Sequence, residues 1–272
     1  MKISICYLLH DEADLIESTL HNIFGKSKHD LTLNLELTSG IFNDEILSIA
    51  SKMHSRYGGK LNSSFKNSPI KMVNFRLKES YLDENADIFF VGSPDYSFDN
   101  TEEFDIFIDK ASSFLDSKFF ISSIREHGDG AVFQSGIYTK LGLEKIGYLD
   151  QNFIPCESSD SDYHRRCCLY YGLNSNNIFD SPYRADIICK ATHHNHHFYK
   201  KGASPPIKNF NKYLQNVFLF NKLNTSYFSK KWGPNKEYTF PFNKEKYNLK
   251  IAWDQVNNPY PDEFHNSLTP FF

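Results

Sequence analysis

No apolar stretch in the 272 residues reaches the ~18 that a membrane-spanning helix needs. No charged segment followed by an apolar run precedes the first strand-like residues, so the sequence predicts no signal peptide and a cytoplasmic protein. Cysteine is sparse. Cys6, Cys156, Cys167, Cys168 and Cys189 show neither paired metal-binding spacing nor a secretory pattern, and reduced, partly buried thiols are expected. Positive charge is not in excess either: 30 Lys and Arg stand against 33 Asp and Glu, for a net charge of -3. That balance argues against a surface built mainly to hold polyanions. Internal repeats and low-complexity linkers are absent, and the length suits one substantial core or one domain with a small appendage.

Aromatic residues, by contrast, are abundant, with 25 Phe and 16 Tyr. The bias weakens any inference from a single aromatic, so patterning has to carry the reading. In the first half, strand and helix patterns alternate. Ile3 to Leu9 is a continuous apolar strand, followed by a His10-Asp11-Glu12 loop and a helix with Leu15, Ile16, Leu20, Ile23 and Phe24 on one face. Leu31 to Leu37 alternates as a second strand and leads into Thr38-Ser39-Gly40. A helix beginning at Asp44 carries Ile46, Leu47, Ile49, Ala50 and Met53 and stops at Gly58-Gly59. Ile70 to Leu77 is a third strand candidate and Asp87 to Val91 a fourth. Such alternation predicts an α/β fold with a mostly parallel sheet, in which ligands sit beyond the carboxyl ends of the strands. The loops at His10–Glu12, Thr38–Gly40 and Gly92–Asp95 would then share one rim. Further on, Thr101 to Leu115 reads as a helix and Phe119 to Ile124 as a strand.

Residues 133–166, from Phe133 to Arg166, are the most specific part of the chain. Leu141, Leu143 and Ile146 lie at roughly helical spacing, and Gly147 ends that helix as a glycine just past a C-cap does. Phe153-Ile154-Pro155 precede Cys156-Glu157-Ser158-Ser159-Asp160-Ser161-Asp162, after which Tyr163, Arg166, Cys167 and Tyr170 continue helically. Asp160 therefore falls near a helix N-terminus, where a carboxylate is favoured and a simple capping role is the plain alternative.

The phrase Leu143-Glu144-Lys145-Ile146-Gly147-Tyr148-Leu149-Asp150-Gln151-Asn152-Phe153, then Ser159-Asp160-Ser161-Asp162 and Arg166, resembles the acceptor-side segment of family 2 glycosyltransferases with the GT-A fold. The family's usual Glu before the first Asp is Ser159 here. Ser93-Pro94-Asp95, after the fourth strand, resembles the family's Asp-x-Asp metal position with its first Asp replaced. The resemblance implies a GT-A, Rossmann-like sheet flanked by helices. It also implies transfer of a sugar, with inversion, from a nucleotide-diphosphate-sugar to a hydroxyl acceptor. Asp160 would be the general base, with Asp162 and Arg166 orienting it or touching the acceptor. Asp95 would hold Mn²⁺ or Mg²⁺, a hard cation suited to oxygen ligands. Asp11, Glu12 and Ser93 would line the donor pocket. The acidic residue usual after the second strand is not evident at Thr38–Gly40.

After Ile187-Ile188-Cys189 comes Ala191-Thr192-His193-His194-Asn195-His196-His197. In the family one such His completes the metal site, and His193 stands slightly ahead of His194. A zinc tract is the alternative by composition, but no paired Cys or His partners support it. The expected organisation is a catalytic domain at 1–204, split into a nucleotide-sugar half (1–100) and an acceptor half (101–204). A helical and irregular extension follows at 205–272, including an amphipathic helix through Phe210, Tyr213, Leu214, Val217 and Phe218. Lys230-Lys231-Trp232-Gly233 and Phe240-Pro241-Phe242-Asn243 loosely resemble tails of small viral glycosyltransferases, which admits modified viral DNA as an acceptor beside glycans and proteins. The two departures from the family pattern admit a second hypothesis, a GT-A protein that binds donor without turnover.

Overall fold

The structure is a computed structural model. It describes residues 1–9, 13–37, 44–62, 69–94, 96–125, 135–153, 159–173, 181–194, 224–233, 242, 244 and 246–256. Its centre is a seven-stranded sheet in the order β3-β2-β1-β4-β7-β6-β8, built from β1 (Lys2–Leu9), β2 (Asp30–Leu37), β3 (Lys60–Asn62), β4 (Ile88–Gly92), β6 (Phe120–Arg125), β7 (Gly136–Tyr138) and β8 (Arg184–Cys189). Every pairing is parallel except those of β7 with β4 and β6. A second, two-stranded sheet joins β5 (Tyr96–Phe98) to β9 (Ala191–His193).

Alternation along the strands sorts the side chains into two cores. Ile3, Ile5, Tyr7 and Leu9 of β1, with Ile88 and Phe90 of β4, face a layer made by α1 (Ala13–Phe24), α2 (Asp44–Tyr57) and α4 (Thr101–Ser112). Cys6, Phe89 and Val91 point the other way, toward α3 (Pro69–Lys78), α6 (Ser159–Tyr170) and residues that flank α5 (Lys140–Lys145). Buried central strands are apolar on both faces, which is why β4 reads Ile-Phe-Phe-Val. Asn100 caps α4 by accepting the Glu103 N–H at 3.0 Å.

The strand expected at Ile70–Leu77 is instead α3, extended by a π-helical turn at Glu79–Asp83. Ile70, Val73, Asn74 and Leu77 recur at i, i+3, i+4 and i+7, and all four are buried. The short β3 takes the sheet edge in its place. Two polar contacts fix α3 there. The Asn74 side chain pairs with both backbone groups of Leu149, at 2.8 and 2.9 Å, and the Arg76 guanidinium bonds Glu36 of β2 and Glu79.

The second core also takes in Tyr227 and Trp232, from a helix at 224–232 (α7), and Tyr247, Ile251 and Val256, the last from α8 (Trp253–Val256). Ile251 bridges in parallel to Gly147, just past α5. Gly147 has φ +79°, and a Cβ there would sit 1.9 Å from the Ile251 carbonyl oxygen, so only glycine lets these two backbones meet. The amphipathic helix expected near Phe210 lies outside the described residues.

Candidate functional site

Parallel β2, β1 and β4 lie side by side and end on one edge of the sheet, with Leu9 opposite Leu37 and Tyr7 opposite Gly92. Of the rim loops, 10–12 and 38–43 lie outside the described residues, and Asp11 and Glu12 with them. The turn after β4 is described on both sides of Asp95. Gly92 lets the Tyr7 ring cross it, since a Cβ there would come within 2.5 Å of that ring. The Tyr7 hydroxyl donates to the Ser93 carbonyl at 3.1 Å and reaches the Tyr96 carbonyl at 3.4 Å. The Tyr96 N–H also donates to the Ser93 carbonyl, at 3.1 Å, which closes a four-residue turn with proline at its second position. Thr19 of α1 approaches the Pro94 carbonyl at 3.4 Å. Ser93 and Pro94 are thus tied to β1 and α1, while Asp95 itself is not among the described residues.

β5 begins immediately after Asp95, and β9 runs antiparallel to it with Tyr96 opposite His193, Ser97 opposite Thr192 and Phe98 opposite Ala191. Two stretches almost a hundred residues apart in sequence therefore meet at the predicted metal position. The His194 Nε2 shares a hydrogen bond with the Ser97 hydroxyl at 2.9 Å. The His193 backbone belongs to β9, and its side chain lies outside the described set, as do His196 and His197. Among the described residues no three His, Cys, Asp or Glu side chains gather on one point.

The aspartates of α6 have different surroundings. Asp160, in the first turn, is half-buried, and its Oδ1 accepts the Ser161 N–H at 2.7 Å. Burial pushes its carboxyl above the usual aspartate range, against the pull of that hydrogen bond. Asp162 is 0% exposed and fully engaged. Its Oδ2 accepts from Arg166 Nε at 2.9 Å, and its Oδ1 accepts from Trp232 Nε1 at 2.8 Å and Lys231 Nζ at 2.6 Å. Arg166, also fully buried, donates to the Ile146 and Tyr148 carbonyls at 2.8 Å each. An acceptor contact, one of the two roles expected of Asp162 and Arg166, is not available to side chains with no exposed surface. What they do is tie α6 to the turn after α5.

Lys231 extends the cluster to Asp150, 2.7 Å from its Nζ. Asp150 also accepts from Tyr227 at 2.8 Å and from the Asn152 N–H and side-chain amide at 3.0 and 2.8 Å. Two buried carboxylates thus balance two buried cations. Burial alone would raise the Asp150 carboxyl, but Lys231 holds it below its usual range. Burial would likewise lower the Lys231 ammonium, and Asp150 and Asp162 keep it raised and charged. Sequence patterning missed Lys231 and Trp232 because Lys-Lys-Trp-Gly carries no helical period and lies far from its partners. A second buried pair, Glu36 with Arg76, was missed for the same reason.

No family model matches the sequence, and no curated protein does either. Solved structures do match in shape. Glucosyl-3-phosphoglycerate synthase from Mycobacterium tuberculosis, in complex with Mn²⁺, UDP and glucosyl-3-phosphoglycerate, aligns with a TM-score of 0.53 at 10% identity, over 86% of this chain and 81% of that one. The fold is GT-A. A mannosyltransferase from Pyrobaculum calidifontis, in complex with GDP-Man and Mn²⁺, gives a TM-score of 0.50 at 12% identity, over 84% of this chain and 75% of its own. At these identities the likeness is one of fold, and function has to be argued from the site itself.

Proposed function

We propose that the protein is a metal-dependent glycosyltransferase. It moves a sugar, with inversion, from a nucleotide-diphosphate-sugar to a hydroxyl acceptor. The observation that carries the proposal is the β5–β9 pairing. It brings the His193-His194 pair to the strand that Asp95 precedes, at the rim where parallel β1, β2 and β4 end. The two structural neighbours, each in complex with Mn²⁺ and a nucleotide or nucleotide-sugar, support the same class of donor.

A carboxylate with an imidazole is a donor set that Mn²⁺ accepts, and Mg²⁺ suits the oxygen ligands alone. Asp95 would hold the cation together with one imidazole of the pair, His193 ahead of His194, whose Nε2 meets the Ser97 hydroxyl. When bound, the cation neutralises charge on the departing diphosphate. Asp11, Glu12 and Ser93 contribute to the donor pocket. Asp160 accepts the acceptor hydroxyl proton as that oxygen bonds to the anomeric carbon, and the electron pair of the broken carbon–oxygen bond leaves with the diphosphate. A carboxyl raised by partial burial is a better base at neutral pH than an exposed one. Asp162 and Arg166 orient that base from below.

Calorimetric titration with UDP- and GDP-sugars, with and without Mn²⁺, tests the donor half of the proposal. Mn²⁺ should strengthen binding in the parent but not in Asp95→Ala, and His193→Ala should weaken Mn²⁺ more than His196→Ala or His197→Ala. Donor binding indifferent to Mn²⁺ in the parent would refute the metal assignment.

A further inference from the structure

We infer that Lys231 and Trp232 are positioning residues for Asp160, so that α7 is a working part of the acceptor half. The inference rests on the role proposed for Asp160. Asp160 and Asp162 share the first turn of α6, and the position of that turn is set by what Asp162 bonds. Of its three partners, Arg166 lies on α6 itself and reaches back to the Ile146 and Tyr148 carbonyls. The other two, Lys231 and Trp232, are consecutive residues of α7 and meet the same Oδ1 at 2.6 and 2.8 Å.

Lys231 then carries the tie to Asp150, in the segment that Asn74 of α3 holds through Leu149. The Trp232 ring is fixed in turn, 4.8 Å from Phe242 and under the Arg165 guanidinium at 5.8 Å. The first turn of α6 is therefore clamped to α3, α5 and α7 through one carboxylate, two residues from the base. Proton transfer is sensitive to placement, since a displacement on the order of 1 Å can cost ~10²-fold.

Trp232→Phe is the least invasive test. It keeps an aromatic ring against Phe242 and removes one N–H from Asp162. Transfer kinetics should show kcat lowered about tenfold or more, with donor KM within about twofold, since the diphosphate that dominates donor binding is assigned to Asp95 and the strand-end rim and not to α6. A merely structural residue would change the melting temperature and the active fraction, and would not split kcat from KM once active sites are counted by donor binding. Trp232→His, the second variant, keeps a ring N–H and should recover part of the lost rate. Parental kcat in Trp232→Phe, alongside a loss of ~10²-fold in Asp160→Asn, overturns the inference and leaves the base assignment standing. Parental kcat in Asp160→Asn overturns both, and the two failures are told apart by that variant alone.

Discussion

Lys231→Met is the perturbation that probes the buried charge cluster most severely. Lys231 is 0% exposed and bridges Asp150 and Asp162 at 2.7 and 2.6 Å. Methionine fills similar volume without the charge, so the parent balance of two carboxylates against Lys231 and Arg166 becomes two against one. Removing one partner of a buried pair costs about 3–5 kcal/mol, because the remaining charge stays desolvated. At about 2–4 °C per kcal/mol for a chain near this size, the melting temperature should fall by roughly 6–20 °C. Asp162 keeps Arg166 and Trp232, whereas Asp150 keeps only neutral donors, so Asp150 bears the loss. Lys231→Met/Asp150→Asn removes that uncompensated charge and should regain about 1–3 kcal/mol over the single variant. The pH dependence carries a sign as well. In the parent, Asp150 titrates below its unfolded value, so its stabilisation is present above that value and lost as pH falls. In Lys231→Met the same carboxyl titrates above its unfolded value, and the variant's deficit shrinks as pH falls. Urea melts from pH 7 to below the ~3.9 of an ordinary aspartate would show both effects, the variant's at the upper end of that range and the parent's at the lower. A single variant within about 1 kcal/mol of the parent, or a double variant no more stable than the single, would refute the reasoning.

Gly147→Ala should lower stability by at least about 2 kcal/mol, from the left-handed backbone and from the collision with Ile251, and a loss under 1 kcal/mol would contradict the bridge. His164 is buried against Tyr183, and burial, then Arg184 and Arg165, lower its pKa to about 4. Between pH 6.5 and 4 the unfolded chain gains a proton that the folded imidazole refuses, so up to about 3 kcal/mol is lost as pH falls. Glu36, raised by burial to about 7 despite Arg76, titrates in the opposite sense nearby. The imidazole is therefore read from the stability difference between parent and His164→Gln, and a pH-independent difference would contradict it.

Much of the fold was legible because its strands and helices carry strong local periods. β1, β2 and β4 were readable as apolar or alternating runs, and α1, α2 and α4 by their one-sided apolar faces. α3 was misread because Ile70-Lys71-Met72-Val73 alternates in its first residues, and only Asn74 and Leu77 restore the helical period. Its polar residues Asn74 and Arg76 are buried by partners 75 and 40 residues away, which no local pattern reveals. β7 and β9, three residues each, are too short to carry a period and form through pairing alone. At the site, the placement of Asp160 in the first turn of a helix followed from its local surroundings. The burial of Asp162 did not, because Lys231 and Trp232 lie some seventy residues on and only the packed second core brings them to it.

The central claim is sugar transfer with Asp160 as the base, and the pH–rate profile of the parent and of Asp160→Asn tests it most directly. With saturating donor, Mn²⁺ and a hydroxyl acceptor, the parent kcat should fall in acid with a midpoint above the ~3.9 of an ordinary aspartate, as burial raises this carboxyl. Asp160→Asn should lose ~10²-fold or more in kcat and the acid limb with it. Its donor affinity should be unchanged and its melting temperature close to parental, since asparagine is isosteric and its side-chain oxygen can still accept the Ser161 N–H. A variant that turns over at the parental rate with the same acid limb would contradict the account.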